Sequence, residues 1–388
     1  MLLLHAADLH LGKTIHERDI GADQEAMLER LTDCIAEKRP AALLLAGDLY
    51  DRSIPPPEAV RLFDSFLNEA ALVDPELVIV AIPGNHDSAS RLSFGTRIMS
   101  RLGVHIRTSP EDCATPIIIE RGGEKAAIWP LPFLNAGSFD ARSEGESPRL
   151  RSQSELFAEA LRRIRPNLLP DAYNVLVAHC FATGGSTSES ERIFVGQAEE
   201  VDSSLFDPFD YAALGHLHRF QKAGAKGRYA GSPLAYSFAE GGEDKGFVLV
   251  ELKAGGFESE LLPVRPLRAM RRIEGPFSVL AAPGAYSEYH DDFVEARLTD
   301  PEAVLNPADP LRANFPNLLS VRQAAFELVP SGALGDAQGS AATDGSSPPS
   351  ILEEFAAFHA LMKSGAAPDE ETSRLFEELV KEASVASL

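Results

Sequence analysis

Five short segments of this 388-residue chain end in side chains that bind metal ions. They are Asp8-Leu9-His10, Gly47-Asp48, Gly84-Asn85-His86-Asp87, Ala178-His179 and Gly215-His216-Leu217-His218. Asp8, Asp48, Asn85 and five histidines make a mixed oxygen and nitrogen donor set of the kind that holds two divalent transition metals. Two such ions a few ångströms apart suit the in-line hydrolysis of a phosphate ester. The other five histidines (His5, His16, His105, His290, His359) lack this context and read as structural or exposed. The spacing within the segments has a physical reading. Asp8 and His10 are two residues apart, as are His216 and His218, so an extended chain would turn each pair to one side. Gly47, Gly84 and Gly215 sit where a side chain would crowd the site. Asn85 adds a neutral oxygen, which limits negative charge around an anionic substrate.

Each segment follows a short apolar run, and such runs bounded by Gly or Pro predict strands buried on both faces. The runs are 2–7, 41–46, 77–82, 175–178 and 211–214. Between the first three lie amphipathic helices. One is predicted over 23–38, with Met27, Leu28, Leu31 and Ile35 on one stripe; the other over 57–71, opened by Pro57 at a first helical position. Strand–helix–strand alternation predicts an α/β fold with a parallel sheet. Ligands of such sheets bind off the carboxyl ends of the strands, where all five segments fall. Apolar runs around Gly122-Gly123 and around Gly255-Gly256 predict two hairpins that supply a second sheet. The polar stretch 138–152 reads as a loop, followed by a Ser152–Glu155 capping box for a helix ending near Pro166.

The ordered set resembles the calcineurin-like metallophosphoesterase superfamily, and within it the bacterial SbcD nuclease family. The closer resemblance rests on Asp8-Leu9-His10-Leu11-Gly12, Gly47-Asp48-Leu49-Tyr50-Asp51, Arg192-Ile193-Phe194-Val195-Gly196, Gly231-Ser232-Pro233-Leu234 and Ser237-Phe238. It implies a sandwich of two β-sheets flanked by helices. It also implies that Asp8, His10, Asp48 and His218 hold one metal and Asp48, Asn85, His179 and His216 the other, with Asp48 bridging. His86 would stand beside the scissile phosphate, stabilise the transition state and protonate the leaving oxygen; Asp51 or Asp87 would orient a histidine from behind. Manganese is the implied metal, although the donors alone also suit iron, cobalt or zinc. The implied activity is DNA exonuclease and hairpin endonuclease cleavage in repair, recombination and replication. The implied assembly is a homodimer within a 2:2 complex with SbcC, a coiled-coil ATPase.

The domain reading follows from composition and pattern: a nuclease domain over 1–264, a small α/β capping domain over 265–330, a flexible linker over 331–350 and partner-binding helices over 351–388. The linker is almost wholly Gly, Ala, Ser, Asp, Thr and Pro. Beyond it, Ile351, Leu352, Phe355, Phe358, Leu361 and Met362 form one apolar stripe, and Leu375, Phe376, Leu379 and Val380 another. Tethered apolar helices of this kind suit docking onto a partner's helices. Cys34, Cys113 and Cys180 lack metal-type spacing and fit a reducing compartment. The first residues lack a basic leader, and no apolar run approaches the roughly 20 residues of a membrane span. A cytoplasmic, nucleoid-associated location is the expectation.

Charge cuts across the nucleic-acid reading. The chain has 58 acidic against 36 basic residues, a net charge of −22, whereas nucleic-acid binders usually carry a basic footprint. From Met270 onward there are 8 basic and 19 acidic residues, so half the excess lies in the last third. Lys13, Arg18, Arg52 and Arg91 lie near the metal-binding segments and are candidate phosphate contacts.

Overall fold

The computed structural model describes residues 1–135, 137–139, 150, 152–187, 200–324, 351–362 and 366–385. The predicted linker 331–350, the segment Arg192–Gly196 and most of the predicted loop at 138–152 lie outside the described residues. The chain divides into two compact units, Met1–Met270 and Arg271–Leu388.

The first unit carries two six-stranded sheets. One runs edge to edge through Gly256–Pro263, Gly246–Lys253, Leu2–Ala6, Ala42–Ala46, Val78–Ile82 and Val104–Ile106. Leu2–Ala6 and the three strands after it in this order are parallel, and the hairpin joins Leu2–Ala6 antiparallel. The other sheet runs through Gln221–Ala223, Gly227–Tyr229, Tyr211–Gly215, Tyr173–His179, Glu124–Leu131 and Ile117–Arg121, with parallel strands at its centre. Leu3, Leu44, Val80, Ile82, Ile128, Val175, Val177, Val248 and Val250 belong to one buried cluster that draws on both sheets.

Helices Gly21–Lys38 and Pro57–Val73 lie in the crossovers between parallel strands and pack on each other, burying Leu28, Leu31, Phe63 and Phe66. Pro57 stands at the predicted helix start. The capping box at Ser152 forms with both of its hydrogen bonds, and the helix Gln153–Ile164 buries Leu156, Phe157 and Leu161 against Trp129 and Phe206.

The fold differs from the sequence reading in how the sheets are composed. The hairpin around Gly255-Gly256 extends the first sheet rather than building the second. The first half of Gly246–Lys253 is buried on both faces, so it suits a place beside Leu2–Ala6 and not an exposed edge. The second sheet is instead centred on the strands that lead to His179 and Gly215. The metal-binding segments therefore come from two sheets, three from one and two from the other.

The second unit has a three-stranded sheet in the order Met270–Gly275, Phe293–Leu298, Leu318–Gln323, with short helices Phe277–Leu280 and Ala308–Arg312. Its core gathers Ile273, Leu280, Val294, Leu298, Leu311 and Phe315. The stretch before Met270 stays with the first unit, where the Arg268 backbone amide and guanidinium both bind the buried Asp23 carboxylate. Helices Ile351–Met362 and Glu370–Val385 pair through a stacked Phe355–Phe376 contact, ring centroids 3.8 Å apart. Ile351, Phe358, Leu375 and Leu379 remain exposed. Among the described residues no helix is long and apolar enough to cross a membrane.

Candidate metal centre

All five segments lie at or just past the carboxyl ends of their strands and converge on one cluster. Asp8, His10, Asp48, His179, His216 and His218 are buried; Asn85 and His86 are partly so. Three groups bring donor atoms within 4.8 Å of one another: Asp8, His10 and His218; His10, Asp48 and His86; and Asp8, Asp48 and His179. His10 Nε2 faces His218 Nε2 at 3.2 Å. Asn85 Oδ1 faces His179 Nε2 at 3.0 Å and His216 Nδ1 at 3.1 Å. Asp48 Oδ2 lies between these pairs, 3.8 Å from His10 Nε2 and 3.5 Å from His179 Nε2. A carboxylate reaching both groups is what a bridging ligand requires. Crowded, inward-facing nitrogens and carboxylates are costly in a protein interior without a cation, so the donor set fits divalent ions.

The backbone at four of these donors is not extended. Asp8, His10 and Asp48 have φ of 54°, 44° and 50°, and His216 has 106°. The expectation that Asp8 and His10 face one way because the chain is extended is therefore corrected. Left-handed residues other than glycine cost on the order of 1–3 kcal/mol each and persist only where neighbours fix them. Here the Asp8 amide donates to Gly47 O (3.0 Å) and the His10 amide to Asp48 O (2.9 Å). Gln24 Nε2 donates to His10 O at 2.7 Å, and the His216 amide donates to Asp8 Oδ1 at 3.0 Å, linking the two sheets. Glycine is required for space as well. A Cβ on Gly84 would lie 2.2 Å from Asp48 Oδ1, and one on Gly47 2.3 Å from His179 Nδ1.

His86 is placed differently from the other four histidines. Its Nδ1 is 2.8 Å from the Asp51 carbonyl, so Nδ1–H donates there and Nε2 faces the cluster, 4.0 Å from Asp48 Oδ2. Its backbone amide donates to Asp48 Oδ1 at 2.9 Å. The Asp51 carboxylate stands behind a histidine, 3.4 Å from His10 Nδ1. The Asp87 carboxylate instead accepts backbone amides of Gly84, Leu49 and Tyr50, tying two site loops together.

Electrostatics agree with a cation site. Burial alone would lower the His179 imidazolium, but the facing Asp48 and Asp8 outweigh it and push its pKa up to about 9. Burial would likewise raise Asp48, yet the surrounding histidines hold it below the ordinary carboxylate range. Asp8 is pushed up to about 7, chiefly by burial.

A family model, calcineurin-like phosphoesterase, matches residues 1–220 and so spans every one of the five segments. The chain belongs to the calcineurin-like phosphoesterase family. Similar solved structures include the TT1561 protein of Thermus thermophilus, at 16% identity and a TM-score of 0.41, covering 67% of this chain and 98% of that one. A dimetal phosphatase from Danio rerio is 11% identical with a TM-score of 0.42, covering 70% and 98%. The calcineurin-like phosphoesterase YfkN from Bacillus subtilis is 12% identical with a TM-score of 0.35, covering 68% and 90%.

As a member of this family the chain is a phosphoesterase with a metal-binding site, and several side chains that brace the site carried no sequence signal. Gln24 lies in an amphipathic helix and reads as an ordinary polar position. Tyr236 donates its hydroxyl to Leu9 O and sets its ring edge-on to His10 and His218. Glu240 and Lys245 fall in a polar, glycine-rich stretch that reads as loop. Of the candidate phosphate contacts, Lys13 is paired with Asp51 at 2.6 Å, whereas Arg18, Arg52 and Arg91 are exposed. Cys34, Cys113 and Cys180 are free and buried.

Proposed function

We propose that this chain is the manganese-dependent nuclease subunit of a DNA end-processing machine, cleaving duplex ends and hairpins. The observation that carries hydrolysis of a phosphodiester is the His86 ring, locked through Nδ1 with Nε2 turned toward the donor cluster. Asp8, His10, Asp48 and His218 would hold one ion, and Asp48, Asn85, His179 and His216 the other. When bound, two such ions neutralise the non-bridging phosphate oxygens and make water a stronger acid. His86 Nε2 can hold a proton where a departing sugar oxygen needs one. Gly47 and Gly84 leave room for the His179 ring and the Asp48 carboxylate to hold their places, and the Asp51 carbonyl fixes the His86 tautomer.

A DNA substrate is supported by the SbcD-like motifs around Asp8, Asp48 and Gly231. A partner is supported by the paired tail helices, which leave Phe358 and Leu379 exposed; a coiled-coil ATPase of the SbcC kind is the partner we infer for 351–388. A second copy of the chain is supported by the exposed Phe94, Ile98 and Leu102 on one short segment. A nucleoid-associated, cytoplasmic location goes with this reading. The acidic balance of −22 favours the alternative, a phosphoesterase of small molecules or phosphoproteins, which would need neither tail helices nor a second unit. End-labelled duplex and hairpin DNA, assayed with manganese beside p-nitrophenyl phosphate, separates the two. Cleavage of DNA, stimulated by an SbcC-like ATPase, is the expected result. Turnover of the small ester with DNA left intact under both conditions would overturn the nuclease reading.

A further inference from the structure

Behind His218, on the side away from the donor cluster, lies a buried ion pair. Glu240 is fully buried and Lys245 nearly so. Lys245 Nζ lies 2.8 Å from Glu240 Oε2 and donates to the His218 carbonyl at 2.7 Å. Glu240 Oε1 lies 3.7 Å from His218 Nδ1 and accepts the Ser237 hydroxyl at 3.0 Å. The Ser232 amide donates to the same His218 carbonyl at 3.1 Å. The ion pair therefore binds the His218 backbone directly and sets a carboxylate oxygen beside its ring, 3.7 Å from Nδ1.

Two charges taken out of water are weak evidence of stabilisation, because desolvation offsets much of their attraction. Their placement has another consequence. A carboxylate on the Nδ1 side of the ring favours the proton on that nitrogen, which leaves the Nε2 lone pair for the donor cluster, where it faces His10 Nε2 at 3.2 Å. We infer that Glu240 and Lys245 are positioning residues that fix the ring orientation and tautomer of His218, and so set the affinity of the metal held with Asp8 and His10. This inference rests on the reading of Asp8, His10 and His218 as ligands of one ion.

Manganese titration of the metal-free, full-length protein tests it, with Asp74→Asn as the control. Asp74 is an equally buried carboxylate paired with Arg121 at 3.0 Å. It follows the helix Pro57–Val73 and precedes the start of a strand, at the end of the sheet opposite the donors. Glu240→Gln should weaken one of two manganese equivalents about 10–100-fold and spare the other. The double variant E240Q/K245M leaves no orphaned charge and should show the same selective loss. Asp74→Asn should lower thermal stability without altering either affinity. Wild-type affinity at both equivalents in E240Q and in the double variant would overturn the inference. Equal weakening of both equivalents in the double variant would reduce the pair to general scaffolding and overturn it too. Failure of the wild type to bind two equivalents would instead count against the underlying ligand reading.

Discussion

The His86 ring is held by a backbone carbonyl, and its Nε2 stands 4.0 Å from Asp48 Oδ2. Its removal should therefore leave the other donors in place. His86→Ala is expected to bind two manganese equivalents by calorimetry while losing about 10²–10⁴-fold in phosphodiester cleavage, the range of a general acid. Loss of one equivalent would make His86 a ligand. His179 gives a second prediction. A ligating imidazole must be neutral, and His179, pushed up to about 9 by Asp48 and Asp8 against the opposing effect of burial, is protonated at pH 7.5 in the metal-free protein. Manganese must expel that proton, so affinity should climb as pH rises toward 9. Calorimetry in buffers of different ionisation enthalpy should read at least about one proton released at pH 7.5 and less above pH 9. At this scale the residue types were legible because few other arrangements use so many histidines and carboxylates after strands. The conformations were not, since nothing in the local pattern distinguishes an extended Asp8 from one at φ 54°. Hydrogen bonds from the 47–48 loop and Gln24, far away in sequence, decide that.

Strands and helices were legible where one strong periodicity ruled. The helices Gly21–Lys38 and Pro57–Val73 and the strand Ala42–Ala46 lie within a few residues of their predicted spans. Pairing between distant strands was not, because an apolar run states that both faces are buried and not which neighbour buries them. The Gly246–Lys253 hairpin joined the first sheet for that reason. The same close packing makes the turns after the strands intolerant of added atoms. Gly84→Ala would drive a methyl into Asp48 Oδ1. It should lower stability by about 1–3 kcal/mol, as overpacking does, and weaken both manganese equivalents together. A variant with unchanged melting temperature and unchanged metal affinity would show that the loop yields more easily than its contacts imply.

For the whole molecule, the tail helices are the part most separable from the chemistry. A chain ending near Val329 is expected to fold, bind manganese and keep basal cleavage, yet to lose its stable complex with a coiled-coil ATPase. Phe355 stacks on Phe376 inside the hairpin, so its substitution would damage the hairpin itself. Phe358→Asp with Leu379→Asp, both on exposed side chains, is the cleaner way to abolish docking. Co-purification of that variant with the partner at full yield would exclude this face. The central claim is that side chains from two sheets form one two-metal centre bridged by Asp48, whose Oδ2 lies within 4 Å of donor atoms on both sides. Calorimetric titration of manganese into the metal-free, full-length chain and its Asp48→Ala variant tests this most directly. Two equivalents in the wild type and loss of tight binding at both in the variant are expected; a single equivalent in the wild type, or two retained without Asp48, would contradict it.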